Sequence, residues 1–509
     1  MSLFVKKPLS QLMAQAEDQG KGLKRTLGAG NLIALGIGAI IGAGLFVRTA
    51  LAAGEHAGPA VTISFIIAAV GCAFAGLCYA EFASIIPIAG SAYTYAYATM
   101  GEIIAWIIGW ALILEYALGA ATVSISWSEY ANKLLGGAIP YEWCHSPFEK
   151  AIDASTNIMH YGIVNLPALV ILLILSLLLI KGTQESATVN AVIVFIKVAI
   201  VLVFIAIGWQ FINPINHTPY FIPENAPDAL KPDGSHYSYK DVFDHGWGGV
   251  LRGAAVVFFA FIGFDAVSTA AQEAKNPKKD MPVGILGSLI ICTVLYILFS
   301  YVLTGVAPYT DFIKAGKEAS VSYAIDAYMP GYHWLSLFVT VAILAGFSSV
   351  ILVMLMGQSR VFYTMSTDGL LPKAFSDLHP KFRTPYKSNM ILFVFVGLFA
   401  AFIPGEVAGD LTSIGTLFAF VLVCIGVMIL RYTNPTLVRP FKTPLVPLVP
   451  ILGIIVCSAM IFSLSGKTLL SAFFWMLVGL VIYFAYSRRR SKLGSAGDAL
   501  PTASDFEAK

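Results

Sequence analysis

The chain has 509 residues, of which 57% are hydrophobic and only 12% are charged, and its formal net charge is +3. Soluble proteins carry about 25% charged residues, so this composition excludes a water-soluble enzyme, a disordered chain and a secreted disulfide scaffold. So small a net charge excludes a nucleic-acid binder, and Cys72, Cys78, Cys292, Cys424 and Cys457 lie in apolar runs where a thiol is a small hydrophobe.

The first 28 residues are polar and unlike a cleavable signal. They form a cytoplasmic lead with a short amphipathic face of Leu9, Leu12 and Met13. A membrane-spanning helix needs about 20 mostly apolar residues. Twelve such segments follow, near 30–52, 60–81, 102–132, 163–181, 188–211, 249–272, 283–306, 333–364, 388–404, 408–431, 447–465 and 468–487. The runs are too long for barrel strands and lack period-two alternation, so the fold class is an all-α integral membrane protein. Most Lys and Arg residues fall on the side of the N-terminus: in the lead, at 275–279, between Arg360 and Lys387, between Arg431 and Lys442, and in the tail from Arg488. That bias places both termini in the cytoplasm. Arg488–Arg490 mark the membrane edge and suit anionic lipid, whereas the outer loop 212–248, with its Asp, Pro and Tyr, suits an ordered cap.

Two of the spans carry reasons to break. The first contains Gly36, Gly38, Gly42 and Gly44, and glycine inside a helix costs about 1 kcal/mol relative to alanine. Close packing through small residues is one explanation. The other is an unwound turn at Gly42-Ala43-Gly44, exposing amides at one half-helix start and carbonyls at the other half-helix end. Those two surfaces suit the carboxylate and the ammonium of a zwitterion. The sixth span repeats the pattern around Gly263 and Asp265. Interrupted helices at corresponding positions of two halves are the mark of inverted-repeat transporters. The implied organisation is a lead (1–28), a first repeat of helices 1–5 (29–211), an outer loop (212–248), a second repeat of helices 6–10 (249–432), peripheral helices 11 and 12 (433–487) and a cytoplasmic tail (488–509).

Ionisable residues within spans are functional by default. Lys197 lies midway along its span, too far from either end to snorkel, and a lysine in apolar surroundings can give up its proton near neutral pH. Glu115, between Leu114 and Tyr116, serves either a structural hydrogen bond or the site. Asp265 follows the second break, where it either caps freed amides or senses protons. No P-loop, catalytic triad or metal spacing is present, so neither an enzyme nor a cofactor is expected.

The stretches Gly36–Val47 and Phe258–Gly284, with Gly109–Tyr116, Gly357–Tyr363 and Asp368–Pro372, resemble the cationic amino acid transporter family of the amino acid–polyamine–organocation superfamily. The resemblance covers roughly residues 24–432 and implies the leucine-transporter fold, with a 5+5 inverted repeat and broken helices 1 and 6. The twelve-span length looks bacterial, which implies the inner (plasma) membrane. By position, the Ala43 and Gly44 amides beside Gly42 would bind a substrate carboxylate. The carbonyls of Ile40, Ile41, Phe259, Ala260 and Ile262 would take its ammonium. The Phe259 ring would be the gate, unless it is packed in the core with Phe258 and Phe261. Lys197 would be the proton-linked cation, with Glu115 supporting the first break. Ser348 and Ser349 fall where sodium-coupled relatives place hydroxyl ligands, although serines in helices also bond back to their own carbonyls.

Two departures stand out: Ala43 where many relatives carry Thr or Ser, which removes a hydroxyl contact to the substrate carboxylate or to Glu115, and Ala270-Ala271-Gln272 where relatives often carry Thr-Gly-Glu. The expected activity is import of L-amino acids by proton symport with alternating access, the proton being the coupling ion. The alternatives are an exchanger without net proton flux and a non-transporting sensor or channel. No second acidic residue is placed for a cationic side chain, so small neutral amino acids are favoured over cationic ones.

Overall fold

The computed structural model describes residues 3–9, 12, 27–86, 88, 90–152, 158–181, 186–271, 274–314, 321–382 and 384–493. Met13 of the amphipathic face, Gln272 and Glu273 after the second break, and the tail from 494 lie outside them. Each of the twelve expected segments coincides with helix. Eight helices are long and apolar enough to cross a membrane, and four shorter apolar ones accompany them among the described residues.

The first span is α1 (Ala29–Ile40), a break, and a second half built from π-helical turns at Gly44–Arg48 and Ala53–Ala57 around α2 (Thr49–Ala52). Gly58, at φ +61°, then turns the chain over Pro59 into α3 (Val61–Ile85). A short helix the hydropathy did not announce, α4 (Ser91–Thr99), is polar and tyrosine-rich yet buried. Next come α5 (Glu102–Leu134), α6 (Leu166–Lys181) and α7 (Ser186–Gly208). The connections between spans carry two small two-stranded pieces, Lys150–Ile152 against Met159–Tyr161 and Ala229–Leu230 against His236–Tyr237. The sixth span is α8 (Gly246–Val257), a 3₁₀ turn (Phe258–Phe261), a break, and α9 (Ala266–Thr269).

The second half continues with α10 (Pro277–Val306), the outer helices α11 (Tyr309–Lys314) and α12 (Val321–Tyr328), α13 (His333–Thr367), α14 (Tyr386–Phe402) and α15 (Gly405–Thr433). It ends with α16 (Leu448–Ser463) and α17 (Gly466–Ile482). The seventh span begins six residues earlier than its apolar run, because Pro277 can open a helix at its first turn and Lys278–Asp280 extend it beyond the apolar layer.

Exposure confirms where lipid must lie. Leu166, Val170, Leu173, Ile174, Leu177 and Leu178 form an exposed stripe on α6, and α17 presents another. Apolar faces of that size are untenable in water and are ordinary in a bilayer. The broken helices sit inside this shell: α1 packs on α10, α7 and α13, and the 3₁₀ turn before the second break packs on the start of the first span's second half.

Candidate substrate and coupling site

α1 ends where Ile41 turns extended (ψ 105°), after its N–H has reached the Ile37 carbonyl at 2.9 Å. The next half-helix restarts on the Gly42 carbonyl, which accepts from Leu45 N–H at 3.1 Å. Between these points the carbonyls of Gly38, Ile40 and Ile41 lose their regular helical partners, and the first amides of the new half have none to find. The second break is built differently. The Phe258–Phe261 turn tightens, Ile262 becomes extended, and Gly263 takes φ +110°, a region open only to glycine.

Two side chains occupy the freed carbonyls of the first break. Lys197 Nζ donates to Gly38 O at 2.8 Å and to Ile41 O at 3.0 Å, while its stem lies against Gly346 of α13, where a Cβ would be only 2.7 Å from Lys197 Cε. The Tyr296 hydroxyl, from α10, lies 3.0 Å from Ile40 O and 2.9 Å from Ala260 O. It therefore bridges the two broken helices. The sequence reading missed Tyr296 because a tyrosine in an apolar run carries no positional signal.

The carbonyls expected for an ammonium are thus not idle. Ile41 O serves Lys197, Ile40 O and Ala260 O serve Tyr296, and Phe259 O accepts Ile262 N–H at 3.3 Å. The cause is physical: a carbonyl freed in an apolar core needs a donor whether or not substrate is present. Each retains a second lone pair.

The breaks also touch. A side chain at Gly44 would collide with the Ala260 backbone, and one at Gly42 would meet Val350 Cγ2 at 3.0 Å. One turn beyond Glu115, a Cβ on Gly119 would meet Met354 Sδ at 3.2 Å and Thr412 Cγ2 at 3.5 Å. Val350 thus lies against the first break, and Met354 packs on α5 one turn beyond Glu115.

Glu115 and Asp265 are fully buried and neighbour each other, with Thr416 close by. Glu115 lies within a π-helical turn of α5, Leu114–Leu118, a distortion frequent at functional sites. Asp265 Oδ2 accepts the Tyr116 hydroxyl at 2.9 Å. Asp265 Oδ1 and both Glu115 oxygens have no hydrogen-bond partner among the described residues. The Ser348 hydroxyl donates to Leu344 O at 2.9 Å and accepts from Trp127 Nε1 at 3.1 Å. It bonds back to its own helix, and the Lys197 ammonium is held by carbonyls instead. Ser349 is buried next to it on α13.

Above the breaks, buried Arg48 forms an ion pair with Asp410 of α15 and stands 5.9 Å from the Phe259 ring centroid. Phe258 and Phe261 pack edge-on against Phe420 and Tyr296, so Phe259 is the one of the three beneath the ion pair. Arg48 falls four residues after Gly44, on the same helical face, a clue that was readable; Asp410 gave none. At the other end of the bundle Lys7 Nζ pairs with Asp368 Oδ1 at 2.8 Å. Among the described residues, no group of three or more His, Cys, Asp or Glu side chains could hold a metal.

Known proteins share this arrangement of sequence. The amino acid permease family model matches residues 27–486. The chain belongs to the amino acid permease family. This permease is 44% identical over 494 residues to the branched-chain amino acid permease BcaP of Bacillus subtilis (strain 168), covering 97% of this chain and 99% of that one. It is 42% identical over 492 residues to the methylthioribose transporter of the same organism, with the same coverage. It is 34% identical over 437 residues to the vacuolar cationic amino acid transporter 4 of Arabidopsis thaliana, covering 85% of this chain and 68% of the relative. The permease is therefore a multi-pass membrane transporter of the amino acid permease class, not an enzyme class.

Proposed function

We propose that this permease imports small or branched neutral L-amino acids across the plasma membrane by proton symport, alternating access between the two sides. The observation that carries the reading is the Lys197 ammonium bridging Gly38 O and Ile41 O at the first break. A cation that braces the broken helix in one charge state and releases it in the other links a proton to the shape of the substrate site. The Ala43 and Gly44 amides take the carboxylate. The second lone pairs of the Ile40, Ile41, Phe259 and Ala260 carbonyls, with the Ile262 carbonyl, take the ammonium. Phe259 closes over the substrate under Arg48 and Asp410. Helices 1–5 and 6–10 form the inverted repeats, and both termini are cytoplasmic.

The Val350 and Met354 walls favour an apolar side chain, as the name of the 44% relative suggests. Methylthioribose is the competing substrate, on the strength of the 42% relative. It has neither carboxylate nor ammonium, so it would leave the broken-helix amides unused. Uptake into proteoliposomes of labelled leucine, isoleucine, valine, alanine, arginine and methylthioribose, with and without an inward proton gradient, tests the whole reading. Neutral amino acids should accumulate only with the gradient. Equal exchange without a gradient would instead identify an exchanger.

A further inference from the structure

Lys197 reaches the first break through a gap between helices. The helix that carries it, α7, packs on α1, α10 and α13. On α13, Gly346 and Val350 are four residues apart and so lie one above the other on one face. Val350 closes on the break itself: its Cγ2 would be 3.0 Å from a Cβ on Gly42. One turn earlier the same face leaves a side chain out. A Cβ on Gly346 would be 2.7 Å from Lys197 Cε, 3.3 Å from Cγ and 3.4 Å from Cδ, inside the about 3.5 Å at which carbon atoms touch. Close by, α13 is held to α5, since Ser348 Oγ accepts Trp127 Nε1 at 3.1 Å.

The surroundings bring little else to the ammonium. α1 and the rest of α7 carry no ionisable side chain, and α13 carries none near Gly346. α10 brings the buried Cys292 thiol and, one turn on, the Tyr296 hydroxyl, which lies against Ile40 O and Ala260 O. The bonds of the ammonium run to Gly38 O at 2.8 Å and to Ile41 O at 3.0 Å, on either side of the end of α1. N–H···O bonds extend to about 3.2 Å. A sideways shift of the stem by a few tenths of an ångström therefore lengthens one of the two out of range.

We infer that Gly346 is a positioning residue for Lys197: by leaving out a side chain it sets the ammonium on both carbonyls of the first break, and with it the pH range over which the permease binds its amino acid. The inference rests on the proton-symport reading and names what holds that reading's cation in place. Gly346 acts through the lysine stem and touches no substrate.

The test compares the full-length permease with Gly346→Ala, Lys197→Ala and the double variant, all in detergent, with the folded fraction checked by gel filtration. Leucine binding is followed by isothermal titration across about pH 5 to 9. A hydrogen bond to a charged group favours the charged form, so Gly346→Ala should lower the pH at which half of the binding is lost, by about one unit. Lys197→Ala should remove the pH dependence, and the double variant should match it. Thermal unfolding reads the same contact without transport. Alanine is a better helix former than glycine, so Gly346→Ala should lower the unfolding temperature while Lys197 is present and raise it in the Lys197→Ala background. An unshifted midpoint in a pH-dependent parent overturns the inference. So does an equal fall in unfolding temperature in both backgrounds, which is plain overpacking. Should Gly346→Ala fail to fold, recovery on adding Lys197→Ala sustains the inference and no recovery overturns it. Failure of the symport reading shows separately, as wild-type leucine binding that is absent or indifferent to pH, and the unfolding comparison then decides on Gly346 alone.

Discussion

Lys197 and Tyr296 are the two residues on which the first break depends most directly. Removing the ammonium by Lys197→Ala leaves the Gly38 and Ile41 carbonyls without their donor, at about 1–3 kcal/mol for a buried unpaired polar group. It also removes the only protein cation described at that depth in the site. Gradient-driven accumulation should disappear while exchange of bound for free amino acid persists at a reduced rate. Paired uptake and counterflow assays on the same vesicles check this, and accumulation with the wild-type pH profile would move coupling to Glu115 or Asp265. Tyr296→Phe takes one hydroxyl from two carbonyls, Ile40 and Ala260. Turnover should fall by about 5- to 150-fold, the range that 1–3 kcal/mol commands, with a smaller change in KM. The buried position of Lys197 was legible because charge in a long apolar run is rare. That of Tyr296 was not, because its meaning lies in where α10 carries it. The same holds for Asp410, Lys7 and Asp368, whose partners lie hundreds of residues away along the chain.

At the scale of elements, both interruptions were legible in glycine placement, but their consequence was not. The sequence suggests two unwound turns. Only the structure shows that they press against each other, Gly44 on the Ala260 backbone. Gly44→Ala should therefore already impair the protein, and Gly44→Val should abolish binding of every amino acid tested. Overpacking of this kind costs about 1–3 kcal/mol, and backbone on one side leaves little room to relax. Isothermal titration with a neutral amino acid checks it, and wild-type affinity in Gly44→Val would refute the site. The small helices α4, α11 and α12 escaped prediction for the opposite reason, since each is far too short to read as a span. The outer cap makes its own prediction. Burial alone would push the Asp244 carboxyl up, but His56 Nδ1 at 2.9 Å and Arg252 at 2.5 Å hold it below the usual carboxylate range. A depressed carboxylate contributes stability above its ordinary value, about 3.9, and loses it as pH falls through the lower folded value. Thermal unfolding in detergent should thus reveal a deficit in Asp244→Asn near neutrality that shrinks as the pH is lowered below the ordinary carboxylate value.

At the scale of the whole molecule, the two ends of the bundle are tied by unlike materials. At one, Arg48 pairs with Asp410 beside the Phe259 ring; at the other, two chain ends converge on two carboxylates. Charge reversal at the outer pair, Arg48→Asp with Asp410→Arg, should recover part of the uptake that either single change removes, which flux measurements on the three variants will show. Between these two ends stands Tyr296, with one proton and two acceptors at nearly equal distance. A single hydroxyl cannot donate to both at once. One of the two carbonyls therefore always lacks this donor, and rotation about the C–O bond decides which. Should the two half-helices separate, the hydroxyl can stay with either one, so that no more than a single bond is at stake at their junction.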